Sequence, residues 1–253
     1  MDRTERFEQV MADLRLHGRV GVPELARRFR VSEMTVRRDL EELERQGVAQ
    51  RIHGGAVSAV SRSFEPPFAL RQVRATDDKQ RIAAVAAATL SEGQTVLLDI
   101  GTTTLEVARA LRGRRNLTVI TPGLRHAGEL ADDVGLRVIV LGGIVRTGEH
   151  SLIGPSTREA LERFHIDVCV LGAGGIGAEA GLTEFDLDDA AIKRAAIERA
   201  GRTVLVADAS KLGAVAFAVV APATAVDLLV TSAPDDHPEV RRLRELGVDV
   251  RTT

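Results

Sequence analysis

Residues 31–40, VSEMTVRRDL, decide how the first part of the chain folds. Ser32 is a good N-cap, because its hydroxyl can accept from the free N–H groups of a first helical turn. The helix it opens, EMTVRRDLEELERQ, places Met34, Val36, Leu40 and Leu43 where they can face inward, and Gly47 stops it. Upstream, Phe7, Val10, Met11 and Leu14 recur at helical spacing before a break at His17-Gly18. VGVPELARRF follows, with Pro23 in a helix's first turn, and Phe29-Arg30-Val31 makes the turn. Downstream, VAQRI and His53-Gly54-Gly55 read as a strand and a tight turn. Three short helices and a β-wing make a winged helix-turn-helix.

In such a unit the N-terminal end of the second helix of the motif enters the major groove of DNA. Ser32, Thr35, Arg37 and Arg38 occupy that end. Arginine can bind guanine O6 and N7 bidentately, and hydroxyls can reach phosphates or bases. Arg27, Arg28 and Arg30 are placed for the DNA backbone, and Arg51 and His53 on the wing for the adjacent groove. The plainer alternative is a three-helix domain whose arginines pair with Glu41, Glu42 and Glu44 on a solvated face. Residues 1–57 hold 11 Arg against 10 Asp and Glu, so bulk charge does not favour DNA. The arrangement does, since the acids cluster in the first helix and at the far end of the third.

Residues 58–75 contain serines and Pro66-Pro67 and read as a linker. From 76 to 253 the pattern changes. TVLLDI, LTVI, LRVIVLGG, DVCVLGA, RTVLVADA and VDLLVTSA are short apolar runs, several of them separated by amphipathic stretches. Near-continuous apolar strands alternating with helices imply an α/β domain with a mainly parallel sheet covered on both faces.

Open sheets of this kind bind ligands at strand ends. Asp99-Ile100-Gly101-Thr102-Thr103-Thr104 ends one strand and opens a helix, a good anion cradle. It could equally be a threonine N-cap. Thr121-Pro122-Gly123 and Gly142-Gly143 end the next two strands and can be turns. Asp208-Ala209-Ser210-Lys211 offers a carboxylate and an ammonium together, for a sugar hydroxyl and a phosphate, or else an Asp-capped turn beside a solvated lysine. Gly172 to Gly177 spells G-x-G-x-x-G, but Glu179-Ala180-Gly181 follows rather than a helix. A dinucleotide site is therefore disfavoured against a flexible loop over a ligand. Lys193 lies on the helix before the Asp208 strand and could be exposed.

RVGVPELARRFRVSEMTVRRDLEELERQGVAQRIHGGA (19–56) resembles the signature of the DeoR family of bacterial transcriptional regulators. VSEMTVRRDL and RIHGGA carry most of the likeness. DIGTTT, LGG, LIGP, GLTEFDLDDAAIKRA and ADASKLG extend it across nearly the whole chain. The resemblance implies that SEMTVRRDL is the recognition helix. It also implies that the second unit is an effector domain with the ribose-5-phosphate isomerase/CoA-transferase-like fold. Asp99, Gly101, Thr102 and Thr103 would then belong to the effector pocket, with Gly142, Gly143, Asp208 and Lys211 as further members. Family members commonly carry Thr-Asn where this chain has Thr121-Pro122, and usually Thr-Asp where it has Thr231-Ser232.

Composition narrows the chemistry. There are 253 residues, a net charge of −2, no Trp and no Tyr, so aromatic platforms for sugars or unpaired bases are nearly absent. All but three of the 34 basic residues are arginine, and Lys79, Lys193 and Lys211 are the exceptions. No apolar run approaches the roughly 18 residues a membrane span needs. The N-terminus lacks a signal-peptide core, and the lone Cys169 excludes an internal disulfide, so the chain reads as cytoplasmic. The histidines show no metal-ligand spacing, and no catalytic triad or cofactor is indicated.

The expectation is a DNA-binding repressor of a carbohydrate-catabolic operon, relieved by a phosphorylated sugar. It would act on double-stranded operator DNA as a homo-oligomer, dimer or tetramer. Two alternatives stand beside it: a sugar-phosphate isomerase fused to a DNA-binding module, with Asp99 or Asp208 as base, and a constitutive DNA-binding protein with no effector.

Overall fold

The computed structural model describes residues 2–58 and 65–253, so part of the expected linker, 59–64, lies outside the described residues. The chain divides into two units, Met1–Pro66 and Pro67–Thr253.

The first unit runs α1 (Arg3–His17), β1 (Arg19–Gly21), α2 (Val22–Phe29), α3 (Glu33–Arg45), β2 (Ala49–Ile52) and β3 (Gly55–Ser58). The strands form an antiparallel sheet in the order β1-β3-β2. Ser32 caps α3 by accepting from the Thr35 N–H at 3.1 Å. Phe7, Leu14, Leu25, Phe29, Val36, Leu40 and Leu43 are among the residues of one core. Arg6 adds a buried tie between α1 and α3, its Nε donating to Asp39 Oδ2 at 2.7 Å. One expected core member is not there: Met34 is 60% exposed. Two residues of an α-helix span about 200°, which turns Met34 to the side opposite Val36.

In the second unit, α4 (Phe68–Val73) and α5 (Thr76–Ala88) come first. The helix α4 falls inside the stretch read as linker; Phe68 is buried, and the Arg125 guanidinium stacks on its ring at 4.3 Å. A βα succession follows: β4 (Thr95–Leu98), α6 (Thr102–Leu111), β5 (Leu117–Thr121), α7 (Leu124–Leu130) and β6 (Leu136–Val140). A hairpin comes next, β7 (Ile144–Arg146) with β8 (Ser151–Ile153), then α8 (Pro155–Leu161) and β9 (Ile166–Leu171). The chain continues through β10 (Gly175–Gly177), β11 (Gly181–Glu184), α9 (Leu187–Arg199), β12 (Ala200–Ala207) and β13 (Ala218–Ala221). It ends with β14 (Leu228–Thr231), α10 (Pro238–Glu245) and β15 (Asp249–Thr252).

Seven strands form a parallel sheet in the order β15-β14-β12-β9-β4-β5-β6. Side chains alternate across it, as the strand period requires. Val96 and Leu98 join one buried cluster with α5 and α6, while Leu97 joins the other with α9 and α10. That double burial explains the unbroken apolar runs in the sequence. From β4 the chain winds outward through β5 to β6, and from β9 it winds the opposite way through β12 and β14 to β15. The reversal lies between β4 and β9, where an open sheet splits into a crevice at its carboxyl ends.

The glycine-rich run 172–177 is not a flexible loop. Gly175–Gly177 is β10, buried and paired antiparallel to β11, which pairs in turn with β13. A Cβ at Gly175 would lie 2.1 Å from the Ala214 carbonyl oxygen, so glycine here admits a neighbouring backbone rather than a pyrophosphate. Among the described residues no helix is long and apolar enough to cross a membrane.

Candidate functional site

Two surfaces gather the residues singled out by sequence. On α3, Ser32 and Thr35 are engaged in the cap, their hydroxyl oxygens 2.9 Å apart. Arg37 extends to Glu33 at 3.2 Å, an exposed i,i+4 pair of small energetic weight. Arg38 is exposed, and among the described residues no ion pair or hydrogen bond holds it. Arg28 is paired with Asp13, and both line one cleft with His17 and the wing residue His53. Arg51 on β2 reaches back to α3, its backbone N–H donating to Glu44 and its guanidinium to Glu41, each at 2.9 Å. The wing is thereby braced against the helix.

The second surface is the crevice where the sheet reverses. Gly101 precedes α6 with φ +126°, ψ 171°, a region essentially confined to glycine. It swings the chain so that the first N–H groups of α6 open at the strand end, and among the described residues no side chain caps them. Thr102 and Thr103 form this turn. His126, one of the histidines without metal-ligand spacing, holds it from behind: its Nε2 is 3.0 Å from Thr104 Oγ1, which donates to the Gly101 carbonyl at 3.1 Å. Burial pushes the His126 pKa down to about 3, so the ring is neutral. Among the described residues its buried Nδ1 has no hydrogen-bond partner, as suits an unprotonated acceptor nitrogen.

Asp99 is 2% exposed. Its Oδ2 accepts from the Gly172 N–H at 2.9 Å and from the Lys193 ammonium. Lys193 is not at the surface either. It is 1% exposed, donates to the Gly172 carbonyl at 3.0 Å, and lies 3.3 Å from Glu184. Burial alone would lower its pKa, but Asp99 and Glu184 outweigh that and hold it above the ordinary lysine range. Asp99 and Lys193 thus clamp the two sides of the crevice, β4 and β9, to α9. The signal for Lys193 was present in the sequence, as one of three lysines kept in an arginine-rich chain.

Asp208 follows β12, two strands from β4. It is buried and accepts from the Ser210 N–H at 2.9 Å. Burial raises its pKa, but Ser210, Lys211 and Lys79 outweigh burial and hold it below the usual carboxylate range. Ser232 Oγ accepts from the Ala209 N–H at 3.1 Å, so the residue that departs from the family pattern braces the Asp208 turn. Lys211 is half-buried, with Nζ 5.4 Å from the centre of the Phe185 ring. Lys79, missed as a site neighbour, is 3% exposed and donates to the carbonyls of Arg71 and Arg74. Burial pushes its pKa down to about 8, with Asp208 opposing and Arg71, Lys211 and Arg74 reinforcing the shift.

Gly142 and Gly143 stand apart. They follow β6, four strands from β12, or about 19 Å at the usual interstrand spacing. Gly143 has φ +144°, and a Cβ there would meet Thr157 Oγ1 at 2.0 Å. The Gly142 carbonyl accepts from that hydroxyl at 2.6 Å. These glycines fit the β7–β8 hairpin onto α8. Pro122, the other departure, ties β5 to the same hairpin through its carbonyl, which accepts from the Leu152 N–H at 2.7 Å.

Comparison with known proteins covers both units. Residues 6–62 match the DeoR-like helix-turn-helix domain, and residues 74–233 match the DeoR C terminal sensor domain. The chain belongs to the DeoR family. The HTH-type transcriptional regulator GolR of Listeria innocua is 35% identical over 247 residues, covering 98% of this chain and 97% of that protein. The glycerol-3-phosphate regulon repressor of Escherichia coli is 36% identical over 234 residues, 92% of each chain. Among solved structures, ribose 5-phosphate isomerase A from Methanocaldococcus jannaschii covers 54% of each chain with 16% identity and a TM-score of 0.41. A likeness of that size carries no argument about activity. This DeoR-family chain is a transcriptional regulator with a DNA-binding helix-turn-helix and a sensor domain. The sequence reading of family and fold class holds.

Proposed function

We propose that this regulator represses its target genes and is released from operator DNA by a phosphorylated sugar bound in the crevice. The observation that carries this reading is the uncapped first turn of α6, facing the same strand ends as the Lys79, Asp208 and Lys211 cluster. Free N–H groups at a helix N-terminus favour an anion, and ammonium groups supply charge-assisted contacts to phosphate. β4 and β12 are two strands apart, about 10 Å, a span an extended phosphorylated sugar bridges. In this assignment Gly101, Thr102 and Thr103 meet one end of the ligand and Asp208 and Lys211 the other. Asp99 orders the loop without touching ligand, and Gly142 and Gly143 serve the hairpin.

The DNA surface is the exposed face of α3, with Arg38 toward bases, Arg37 toward bases or phosphate, and Arg51, His53 and Arg28 alongside. A single such module touches few base pairs, so the working form is a homo-oligomer on two half-sites. An isomerase reading finds little support, since Asp99 is sealed against Lys193 and Asp208 is held by its own turn.

The deciding experiment titrates full-length protein on its operator, found by selection from random duplexes, with a panel of sugar phosphates and the matching free sugars. Release by one phosphorylated sugar and not by its free form is expected. Release by none of them, or equally by the free sugar, overturns the effector assignment.

A further inference from the structure

We infer that Met34 reads a thymine by its methyl group, paired with Arg38 reading a neighbouring guanine. This rests on the DNA-binding role of α3 and adds the base preference of its outermost ridge.

The inward stripe of α3 is Val36, Leu40 and Leu43, each at most 1% exposed. At 3.6 residues per turn, Met34 and Arg38 both lie about 160° round the helix from Val36, within about 40° of each other. They are an i,i+4 pair, stacked one turn apart on the outermost face.

The rest of that face is already committed. Arg37 holds Glu33, Glu41 holds Arg51, Glu42 holds Arg45, and Glu44 accepts from the Arg51 backbone. Arg38 remains as the charged side chain of α3's outer face with no ion pair among the described residues. Beside it stands a thioether side chain 60% exposed. Among the described residues of this unit, the exposed large hydrophobics are Met34 and, on the wing, Ile52.

A long apolar side chain on the outermost ridge of a groove-entering helix, next to an uncommitted arginine, has a matching partner in DNA. Thymine's C5-methyl is the one apolar feature of the major groove, and guanine O6 and N7 accept the arginine fork. The unbranched methionine side chain adapts to such a surface. One helical turn advances about 5.4 Å, against about 3.4 Å per base pair. The thymine and the guanine should therefore lie within two base pairs of each other in each half-site.

The test uses the full-length chain. Preferred duplexes are selected from a random pool with the wild-type protein, and each thymine is then replaced singly by uracil, which removes only the methyl. At one thymine position in each half-site, a single uracil is expected to weaken wild-type binding about fourfold, the worth of roughly one buried methyl group at 0.8 kcal/mol. Met34→Ala should bind the thymine and uracil duplexes equally, and Met34→Gln should select a different base at that position. Replacing the neighbouring guanine by 7-deazaguanine should weaken the wild type and leave Arg38→Ala unaffected. A uracil penalty equal in wild type and Met34→Ala overturns the inference, as does the lack of any penalty or a thymine and guanine further apart. If no sequence is enriched, sequence-specific binding itself fails, a different result from selection of sites indifferent to the thymine methyl.

Discussion

The Lys193 ammonium on α9 is ion-paired with Asp99 at the end of β4, and both are all but inaccessible to solvent. The strand before the effector loop is thereby fastened to the helix packed against β12. Removing one partner of a buried pair leaves a charge with nothing to balance it, at a cost of about 3–5 kcal/mol. Lys193→Met should lower stability by that amount, since it strands both Asp99 and Glu184. Asp99→Asn should cost less, because the amide oxygen still accepts from Gly172 and Lys193 keeps Glu184. Urea unfolding of the two variants checks the ordering; equal losses would contradict it.

His126 makes stability depend on acid. Its folded pKa of about 3 lies below the ordinary 6.5 because burial disfavours the charged ring. Between those values the unfolded chain binds a proton that the folded chain refuses, so this contribution is complete above pH 6.5 and is lost as pH falls toward 3. Asp189 works the other way, its carboxyl pushed up to about 7 chiefly by burial, so only a difference isolates the histidine. The stability gap between wild type and His126→Gln should narrow as pH drops from 6.5 to 4 in parallel urea titrations. A gap constant over that range would mean the ring is not held neutral.

Arg37 and Arg38 are adjacent in sequence but differ in their commitments. Arg38→Ala should cost about 1–3 kcal/mol, concentrated at particular base pairs, as expected for a base contact. Arg37 already has Glu33, so its alanine variant should lose less. If it touches only phosphate, the slope of log affinity against log salt should flatten by about one. Affinity titrations on matched and mismatched operators at several salt concentrations separate the two; a larger and more sequence-dependent loss for Arg37→Ala would reverse the assignment.

The helices, the parallel sheet and the loops at its carboxyl edge were legible because they rest on short-range signals. Ser32 caps the helix it was expected to cap, and the apolar runs became the central strands. Most of what failed depended on residues far apart in the chain; Met34 is the local exception. Lys193 looked surface-accessible because its helix carries polar neighbours, and only the docking of α9 against β4 and β9 buries it. Met34 fitted the apolar period loosely, yet at 100° per residue it cannot share a face with Val36. The glycines at 172–177 read as a flexible loop over a ligand, but they admit the Ala214 backbone beside β10, which local pattern cannot reveal. Gly142 and Gly143 sit at a strand end like the others, and only the strand order shows how far that end lies from Asp208.

Effector response should report the two site lysines separately. Lys211 is half-buried and carries the direct contact in the proposed pocket. Lys211→Ala should therefore lose a charge-assisted interaction of about 1.5–3 kcal/mol, a ten- to hundredfold rise in the sugar phosphate needed for operator release, with operator affinity unchanged. Lys79 lies behind it, two of its N–H groups spent on the carbonyls of Arg71 and Arg74. It contributes charge to the same cluster, and that charge is lost as pH rises through about 8. Below that pH the ammonium favours a bound dianion; above it the amine does not, so the wild type should need more effector at pH 9 than at pH 7. Asp208, Arg71, Arg74 and Lys211 face the Lys79 ammonium, so the Lys79→Met variant is what isolates its contribution. Lys79→Met should respond weakly at pH 7 and show no further loss at pH 9, while Lys211→Ala should retain the pH dependence on a weaker baseline. Operator release measured at both pH values for the three proteins decides the point: a pH dependence that survives in Lys79→Met removes Lys79 from the pocket's charge.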